Sequence, residues 1–155
     1  MLCFETCSVD AEPAARLLQA MREEIAALYE GLDLDGARMP KAGPVEMGPP
    51  GGTFIVGFDD EGAAVCCGGV KRLSGDACEI KRMFVVEAAR GRGLARELLV
   101  ELERRARELG YGVVRLDTGP RQPRSQRMYE RAGYVAIENF NGNPMASYFG
   151  EKRLR

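Results

Sequence analysis

The stretch Arg90-Gly91-Arg92-Gly93-Leu94-Ala95 decides the fold of this 155-residue chain. It lies between the apolar run Met83-Phe84-Val85-Val86 and a long amphipathic segment that begins near Arg92. A strand that turns through glycines into a helix leaves the first helical N–H groups without internal partners, at the positive end of the helix dipole. Glycine has no Cβ and lets the backbone approach a phosphate closely. With the charges of Arg90, Arg92 and Arg96 added, the stretch predicts a pyrophosphate site.

Composition excludes several classes of protein and of site. Basic and acidic residues nearly cancel, 22 against 23, so no global field draws nucleic acid or an anionic membrane. The chain has no histidine, which removes Ser-His-Asp and Cys-His catalysis. Its five cysteines show no CxxC spacing, and with no histidine beside them no metal site is expected. Without a secretory signal or an apolar run of roughly 18–20 residues, one cytoplasmic domain over residues 1–155 with reduced thiols is expected.

Hydrophobic periodicity and turn residues predict the order of elements. Helices are predicted over residues 13–30, 92–109 and 123–132. Strands are predicted over residues 53–58, 64–73, 77–86, 113–116, 134–138 and 147–152. Residues 31–52 are rich in proline and glycine, and an irregular segment of that length in a compact domain is usually functional or mobile.

The order of these elements, αβββαβαββ, predicts an α+β fold. The first three strands are close in sequence and are expected to form an antiparallel meander. The passage through the helix at residues 92–109 places the strand 113–116 parallel to 77–86. The sequence therefore predicts one domain with a mixed, mostly antiparallel, twisted sheet and helices on both of its faces.

Two further features stand at fixed positions relative to the glycine turn. Glu79 lies in the strand before it, and Tyr129-Glu130-Arg131-Ala132-Gly133-Tyr134 follows the parallel strand. This arrangement resembles the GNAT family of N-acetyltransferases. The family's Arg/Gln-x-x-Gly-x-Gly/Ala signature is matched by Arg90, Gly93 and Ala95, and its Tyr-Glu-Arg/Lys-x-Gly-aromatic helix end by the second segment.

The resemblance implies that two parallel strands splay apart and bind acetyl-CoA between them, with a bulge in the first strand leaving amides free. Main-chain groups of Met83, Phe84 and Val85 would bind the pantetheine arm. One N–H, of Phe84 or Val85, would face the thioester carbonyl and stabilise the oxyanion. The amides of Gly91 to Arg96 would bind the pyrophosphate.

The resemblance also implies two catalytic residues. Glu79 would act as general base on an alkylammonium, directly or through a water, and Tyr129 would protonate the departing thiolate. From the residues alone, Glu79 could equally pair with a neighbouring lysine or arginine, and Tyr129 could pack a helix end. Many family members have an asparagine before the second helix; this chain has none, and Gln122 or Ser125 would substitute for it.

The acceptor amine is the least determined part of the prediction. The resemblance places it over residues 33–52 and 139–149. A first set of charges there (Arg38, Lys41 and Arg82) could bind a carboxylate, a second set (Asp33, Asp35 and Glu46) could attract a polyamine or basic peptide, and both could be solvated surface. We expect a small amine or amino acid as acceptor, with a protein N-terminus or lysine as the alternative.

The sequence fits other classes of function less well. A Rossmann dinucleotide site would need its third glycine where Arg96 stands, so that reading is discounted. A nucleic-acid module would need a basic excess and interleaved aromatic residues, which the chain does not have. A sensor that binds acetyl-CoA without catalysis stays open. Dimers are common among the proteins that the chain resembles, although no exposed apolar stripe specifies an interface.

Overall fold

Seven strands form one sheet, with three α-helices around it, in a computed structural model that describes residues 1–155. The strands are β1 (Cys3–Thr6), β2 (Thr53–Phe58), β3 (Ala64–Arg72), β4 (Ala77–Val85), β5 (Val113–Thr118), β6 (Val135–Ala136) and β7 (Tyr148–Arg153). The helices are α1 (Ala14–Leu28), α2 (Leu94–Glu108) and α3 (Pro123–Arg131), and a short 3₁₀ turn spans Glu87–Ala89. The order of strands across the sheet is β1-β2-β3-β4-β5-β7-β6.

Only one pair of neighbouring strands runs parallel. The strands β1 to β4 form an antiparallel meander, and β7 is antiparallel to both β5 and β6. The chain crosses from β4 to β5 through α2, and these two strands pair in parallel. The predicted meander, the predicted parallel pair and the mixed, mostly antiparallel sheet are confirmed.

Several boundaries differ from the sequence-based prediction. The strand β1 was not predicted, because it is a four-residue edge strand with largely exposed side chains and hence no apolar alternation. The helix α2 begins at Leu94 instead of residue 92, because Gly93 at its N-cap has a left-handed φ of 76°. The strand β5 continues to Thr118, whereas β6 is limited to two residues.

Helices cover both faces of the sheet, as predicted. On one face α2 buries Leu98, Leu99 and Leu102 completely against the central strands. On the opposite face α1 packs Leu17 and Leu18 into a second, smaller core. None of the helices has the length and apolar character needed to cross a bilayer.

A β-bulge interrupts β4 at Arg82. Gly69 pairs with Lys81 and Cys67 with Phe84, so two residues of β4 face the single Gly68. Arg82 has a φ of 59°, a left-handed conformation that is uncommon for a residue with a side chain. An extra residue reverses the alternation of side chains, so Lys81 and Phe84 both point to the α1 face although they are three residues apart.

The parallel strands β4 and β5 separate beyond the first third of β4. Their pairing ends at Glu79 and Arg115, whereas β4 continues to Val85 and β5 to Thr118. Between the ends of the two strands the sheet is therefore open, and the bulge at Arg82 lies at the start of this opening. The bulge and the splayed strands that the resemblance implied are both present.

Candidate active site

Six consecutive backbone N–H groups, from Gly91 to Arg96, donate to no acceptor in the protein. They comprise the glycine turn and the first turn of α2, where the first amide with a backbone acceptor is that of Glu97, bonded to the Gly93 carbonyl. Gly91 and Gly93 have left-handed φ values of 81° and 76°. A Cβ at either glycine would meet nothing within 4 Å, so glycine is needed for the backbone conformation and not for packing. These amides form a cradle for an anion.

A cavity of about 610 Å³ adjoins this run of amides. It lies between α1, the end of β4, the start of α2 and the start of α3. Eleven of the predicted site residues line it: Met83, Phe84, Val85, Arg90, Gly91, Gly93, Leu94, Ala95, Gln122, Ser125 and Tyr129. Of the other three, Arg92 and Arg96 have exposed side chains outside the lining, and Glu79 lies deeper in the sheet. The structure thus brings most of the predicted residues into one space.

Main-chain groups of Val85 face the opening between the strands. The Val86 N–H donates to the Val65 carbonyl at 2.9 Å, so the backbone of Val86 faces β3. Successive residues of a strand direct their N–H and C=O groups to opposite sides. The main-chain groups of Phe84 therefore also point towards β3, whereas those of Val85 point away from it. Of the two amides predicted to meet a thioester carbonyl, that of Val85 has the suitable direction.

The Arg90 side chain spans the cavity wall between β4 and α1. Its Nε donates to the Val85 carbonyl at 2.9 Å and its Nη2 to Glu24 Oε1 at 2.7 Å. Its guanidinium also lies over the ring of Phe84, 5.6 Å from the ring centre. A ligand that binds to the Val85 carbonyl therefore either shares this oxygen with Arg90 Nε or displaces it. Sequence reasoning missed Glu24, whose place on the cavity side of α1 depends on tertiary packing.

Tyr129 lines both this cavity and a smaller one beside it. Its ring is buried, and the sole hydrogen-bonding contact of its hydroxyl group is with Met83 Sδ at 3.7 Å. Burial raises the pKa of Tyr129, and the charge of Asp117 raises it further. The phenol therefore stays protonated at neutral pH and is free to donate to a group that enters the cavity.

The loop before α3 is tied to the end of α1 through Tyr29. The Tyr29 hydroxyl donates to Gln122 Oε1 at 3.1 Å and accepts from the Arg121 N–H at 3.2 Å. A Cβ at Gly119 would overlap the Tyr29 ring, so the tyrosine packs directly on the backbone of this loop. The contact orients Gln122 toward the cavity that it lines, and Ser125 lies on the first turn of α3 beside it.

A second cavity, of about 120 Å³, lies on the other side of Tyr129. Its walls come from residues 31–40, the middle of β4, the end of β5 and the segment 143–146. It shares six lining residues with the larger cavity: Met21, Ile25, Met83, Gln122, Ser125 and Tyr129. Parts of both segments implied for the acceptor therefore meet at one small space that adjoins the larger cavity.

Glu79 lies behind this second cavity and lines neither space. Its side chain is fully buried; Oε2 accepts from Lys81 Nζ at 3.1 Å and from Asn141 Nδ2 at 2.8 Å. Its Oε1 is buried without a protein partner. Burial raises the pKa of Glu79, against the effect of the Lys81 charge. The alternative pairing with a neighbouring lysine is thus present, and the general-base role of Glu79 stays a prediction.

Of the charged residues considered for binding the acceptor, only Arg82 lines the smaller cavity. Arg38 and Lys41 are exposed and line neither cavity. Arg82 lines the smaller one, but its Nη2 donates to the Leu34 carbonyl at 3.3 Å and lies 3.7 Å from Asp35 Oδ1. The acidic residues of this loop hold local structure: Asp33 and Glu46 accept from backbone N–H groups within the loop, and Asp35 also pairs with Arg22.

The free amides, the bulge and the splayed strands are the features that the resemblance to the GNAT family implied. A model of the acetyltransferase (GNAT) family matches residues 16–134 of this chain. The chain belongs to the GNAT family. The residues that the family model matches include β2 to β5, the glycine turn and the helix end that contains Tyr129.

Individual GNAT proteins show how far the similarity extends. An uncharacterized N-acetyltransferase of Schizosaccharomyces pombe is 33% identical over 101 residues, which are 64% of this chain and 62% of that protein. The chain therefore matches less than two thirds of that relative's length. A candidate acyl-CoA N-acyltransferase of Klebsiella pneumoniae has the same fold, with a TM-score of 0.78 and 26% identity over 100% of this chain and 99% of that one.

One solved GNAT structure has acetyl-CoA bound. It is an acetyltransferase of Elizabethkingia anophelis, with a TM-score of 0.69 and 14% identity over 99% of this chain and 98% of that one. At this identity the comparison shows a shared fold alone. In the present chain the free amides of residues 91–96 suit a diphosphate, and the open edge of β4 at Val85 suits an extended amide-bearing arm.

Proposed function

We propose that this chain is an acetyl-CoA-dependent N-acetyltransferase that acetylates the primary amine of a small molecule in a ternary complex. One observation carries the proposal: six adjacent amides without acceptors, Gly91 to Arg96, lie beside a strand edge that is left open where β4 and β5 separate. An anion cradle next to an unpaired strand edge suits a ligand with a diphosphate at one end and an extended, amide-bearing arm at the other.

The backbone of β4 and α2 supplies the binding groups in this proposal. Acetyl-CoA, when bound, supplies an acetyl group activated as a thioester. The amides of residues 91–96 hold its pyrophosphate, and the main chain at Val85 pairs with the pantetheine arm in the manner of an added strand. Arg90 Nε leaves the Val85 carbonyl as the arm binds, and its guanidinium becomes available to the diphosphate. The Val85 N–H is the proposed donor to the thioester carbonyl oxygen.

Two side chains handle protons in this proposal. Tyr129, protonated and free to donate, gives its proton to the thiolate sulfur as the acetyl group leaves. Glu79 accepts the proton that the acceptor ammonium must lose before attack. Because Glu79 is buried behind the smaller cavity, this transfer requires a bridging water, which its unpartnered Oε1 is suited to bind.

The size of the smaller cavity supports a small acceptor over a peptide. Its volume is about 120 Å³, and its lining comes from several parts of the chain. The wall formed by residues 31–40 is held in place: Arg82 Nη2 donates to the Leu34 carbonyl at 3.3 Å, and Asp35 pairs with Arg22 at 2.8 Å. A lysine or N-terminus of a folded protein would need a more open groove.

The proposal is tested by calorimetry with acetyl-CoA, together with free-thiol release and mass spectrometry on a panel of primary amines. Micromolar binding and an acetylated small amine are the expected results. Binding without turnover on any amine would favour an acetyl-CoA sensor, and turnover restricted to peptides would favour a protein acetyltransferase. Absence of acetyl-CoA binding would overturn the proposal.

A further inference from the structure

Charged side chains of both signs line the smaller cavity. The two cations of β4 that line it have acidic partners: Lys81 pairs with Glu79 at 3.1 Å, and Arg82 lies 3.7 Å from Asp35, which also pairs with Arg22 at 2.8 Å. Asp117, at the end of β5, also lines the cavity but forms no ion pair with any lysine or arginine. Asp117 is therefore the one carboxylate in the lining of this cavity, and no lysine or arginine lies within ion-pair distance of it.

The orientation of Asp117 is fixed by neutral donors. Its Oδ2 accepts from Asn141 Nδ2 at 2.8 Å and from Asn143 Nδ2 at 3.0 Å. The two asparagines are themselves linked, since the Asn143 N–H donates to Asn141 Oδ1 at 3.0 Å. Amide donors orient a carboxylate without cancelling its charge. The other oxygen, Oδ1, accepts no hydrogen bond from the protein and is not enclosed.

Asn141 also connects Asp117 to the buried Glu79. The same Nδ2 donates to Asp117 Oδ2 and to Glu79 Oε2, each at 2.8 Å. Of these two carboxylates, Asp117 lines the cavity, while Glu79 has no exposed surface and is paired with Lys81. An ammonium group that enters the cavity can thus touch Asp117 but not Glu79.

We infer that Asp117 Oδ1 binds the ammonium group of the acceptor, and that the acceptor is a small primary amine with an apolar substituent and no carboxylate. This inference rests on the proposed function and determines the specificity of the same site. The ammonium would lie beside Tyr129, which lines both cavities, and hence near the larger cavity. Besides its polar groups, the wall has apolar side chains that a short hydrocarbon chain can contact: Leu32, Leu34, Met39, Pro40, Met145 and Ala146.

An acceptor with its own carboxylate is disfavoured by the same charges. Such a group would need a free cation, and the two cations of the lining, Lys81 and Arg82, already have partners. Arg82 would have to exchange its contacts with Asp35 and the Leu34 carbonyl for the ligand. Without that exchange the ligand's carboxylate would face Asp117 with no cation of its own, which is repulsive in a partly desolvated space.

The test compares two amines that differ at one end only, n-butylamine and 4-aminobutyrate. In thiol-release assays at saturating acetyl-CoA, the wild-type protein is expected to have a kcat/KM at least about tenfold higher for n-butylamine. Asp117→Asn keeps the shape of the side chain and its acceptor for the asparagines. It should raise the KM for n-butylamine about 10- to 100-fold, the loss of one charge-assisted hydrogen bond, with unchanged acetyl-CoA affinity.

Asp33→Asn is the matched control, because Asp33 is an exposed carboxylate outside the cavity and asparagine can still accept from the Asp35 N–H. It should change the KM less than about twofold. The side-chain amide NMR signals of Asn141 and Asn143 report amine binding even without turnover. Amine turnover that is unaffected by Asp117→Asn, or preference for 4-aminobutyrate, overturns the inference while the proposed function stands. If the Asn141 and Asn143 signals do not shift when n-butylamine is added, the inference is overturned whether or not acetyl-CoA binds.

Discussion

At the scale of single residues, the hydroxyl group of Tyr129 is the main candidate for a reactive group in the site. It lies where the two cavities meet and contacts only the sulfur of Met83. Because its pKa is raised by burial, it holds its proton until a more basic group approaches. A thiolate that leaves the acetyl group is such a base, whereas the neutral thioester in the ground state is not. The hydroxyl is therefore expected to act on the transition state and not on cofactor binding.

Tyr129→Phe is expected to lower turnover at least about tenfold and to leave the affinity for acetyl-CoA within about twofold. The matched control is Tyr148→Phe, because the Tyr148 hydroxyl is buried without any partner and lines neither cavity. The control should keep full turnover and lose no stability, since it removes an unsatisfied polar group. Steady-state rates and calorimetry give both quantities, and unchanged turnover in Tyr129→Phe would refute the acid role.

Glu79 lies in β4, as the sequence predicted, but its side chain is fully buried and lines neither cavity, and its general-base role stays a prediction. Its partner Lys81 is two residues away, and alternate residues of a strand share a face, so the pairing was one of the two readings that the sequence allowed. Its second partner, Asn141, lies in a loop between β6 and β7, and no sequence pattern connects a loop asparagine to a strand that far away. The depth at which Glu79 is buried depends on that loop.

Glu79→Gln is expected to lower the rate at neutral pH, with partial recovery as the pH rises and more of the acceptor is already unprotonated. The substitution also leaves Lys81, which is nearly buried, without its counter-ion, so some loss of stability is expected. Loss of stability alone gives no recovery of rate at high pH. A pH–rate profile of the variant parallel to that of the wild type would show that another group, or bulk water, is the base.

At the scale of elements, the site is formed by two interruptions of regular structure. The bulge at Arg82 reverses the faces of the residues that follow it in β4, and the left-handed Gly93 starts α2 with its amides unpaired. The glycine turn was predictable, because a left-handed conformation favours glycine and the motif is local. The position of the bulge was not predictable from the residues themselves, because it is a property of the register between β3 and β4 and Arg82 carries no sequence signal for a positive φ.

Gly93→Ala tests whether the conformation of the turn matters for binding. Alanine in the left-handed region costs about 1–2 kcal/mol, and the strain is expected to move the amides that follow. Acetyl-CoA affinity should fall at least about tenfold. Gly62→Ala is the matched control: Gly62 has a φ of 81°, its Cβ would meet nothing within 4 Å, and it lies in the β2–β3 turn away from the site.

The two variants should lose similar amounts of unfolding free energy in urea, since the strain at the two glycines is alike. Only Gly93→Ala should weaken acetyl-CoA binding in calorimetry. Equal affinities in the two variants would show that the turn does not hold the pyrophosphate.

At the scale of the whole molecule, two cores on opposite faces of the sheet hold the site between them. The larger core, under α2, contains Cys66 and Cys78, and the smaller one, under α1, contains Cys67. Helical and strand periodicity predicted both faces, because each element buries one side. The edge strand β1 and the fixed conformation of residues 31–52 were not predictable in this way, because their order comes from single contacts such as that of Arg82 with the Leu34 carbonyl.

The buried thiols predict a loss of stability in alkali. Burial raises the pKa of Cys66 to about 11 and that of Cys78 to about 12, and it also raises the pKa of Cys67. A group whose pKa is raised by folding stabilises the fold below its unfolded pKa, and this contribution is lost as the pH rises towards the folded value. The unfolding free energy should thus fall from about pH 9 upward, by at most about 1.4 kcal/mol per pH unit for each thiol.

Urea unfolding at several values between about pH 8 and about pH 11 measures this slope. Cys78→Ala should make the slope of unfolding free energy against pH shallower, by up to the contribution of one thiol. The variant should also be less stable at every pH, because a buried side chain is shortened. Cys3→Ala is the control, because Cys3 is exposed and its removal should leave the slope unchanged. Identical slopes in all three proteins would contradict burial of Cys78.

The claim on which the whole account depends is that the amides from Gly91 to Arg96, with the open edge of β4 at Val85, bind acetyl-CoA. The most direct measurement is a titration of the ¹⁵N-labelled protein with acetyl-CoA, followed by amide chemical shifts and hydrogen exchange. The six amides and that of Val85 are expected to shift and become protected, while the amide of Gly62 in the distant β2–β3 turn should not change. Saturable binding that leaves those six amides unaffected, or no binding at all, would contradict this claim.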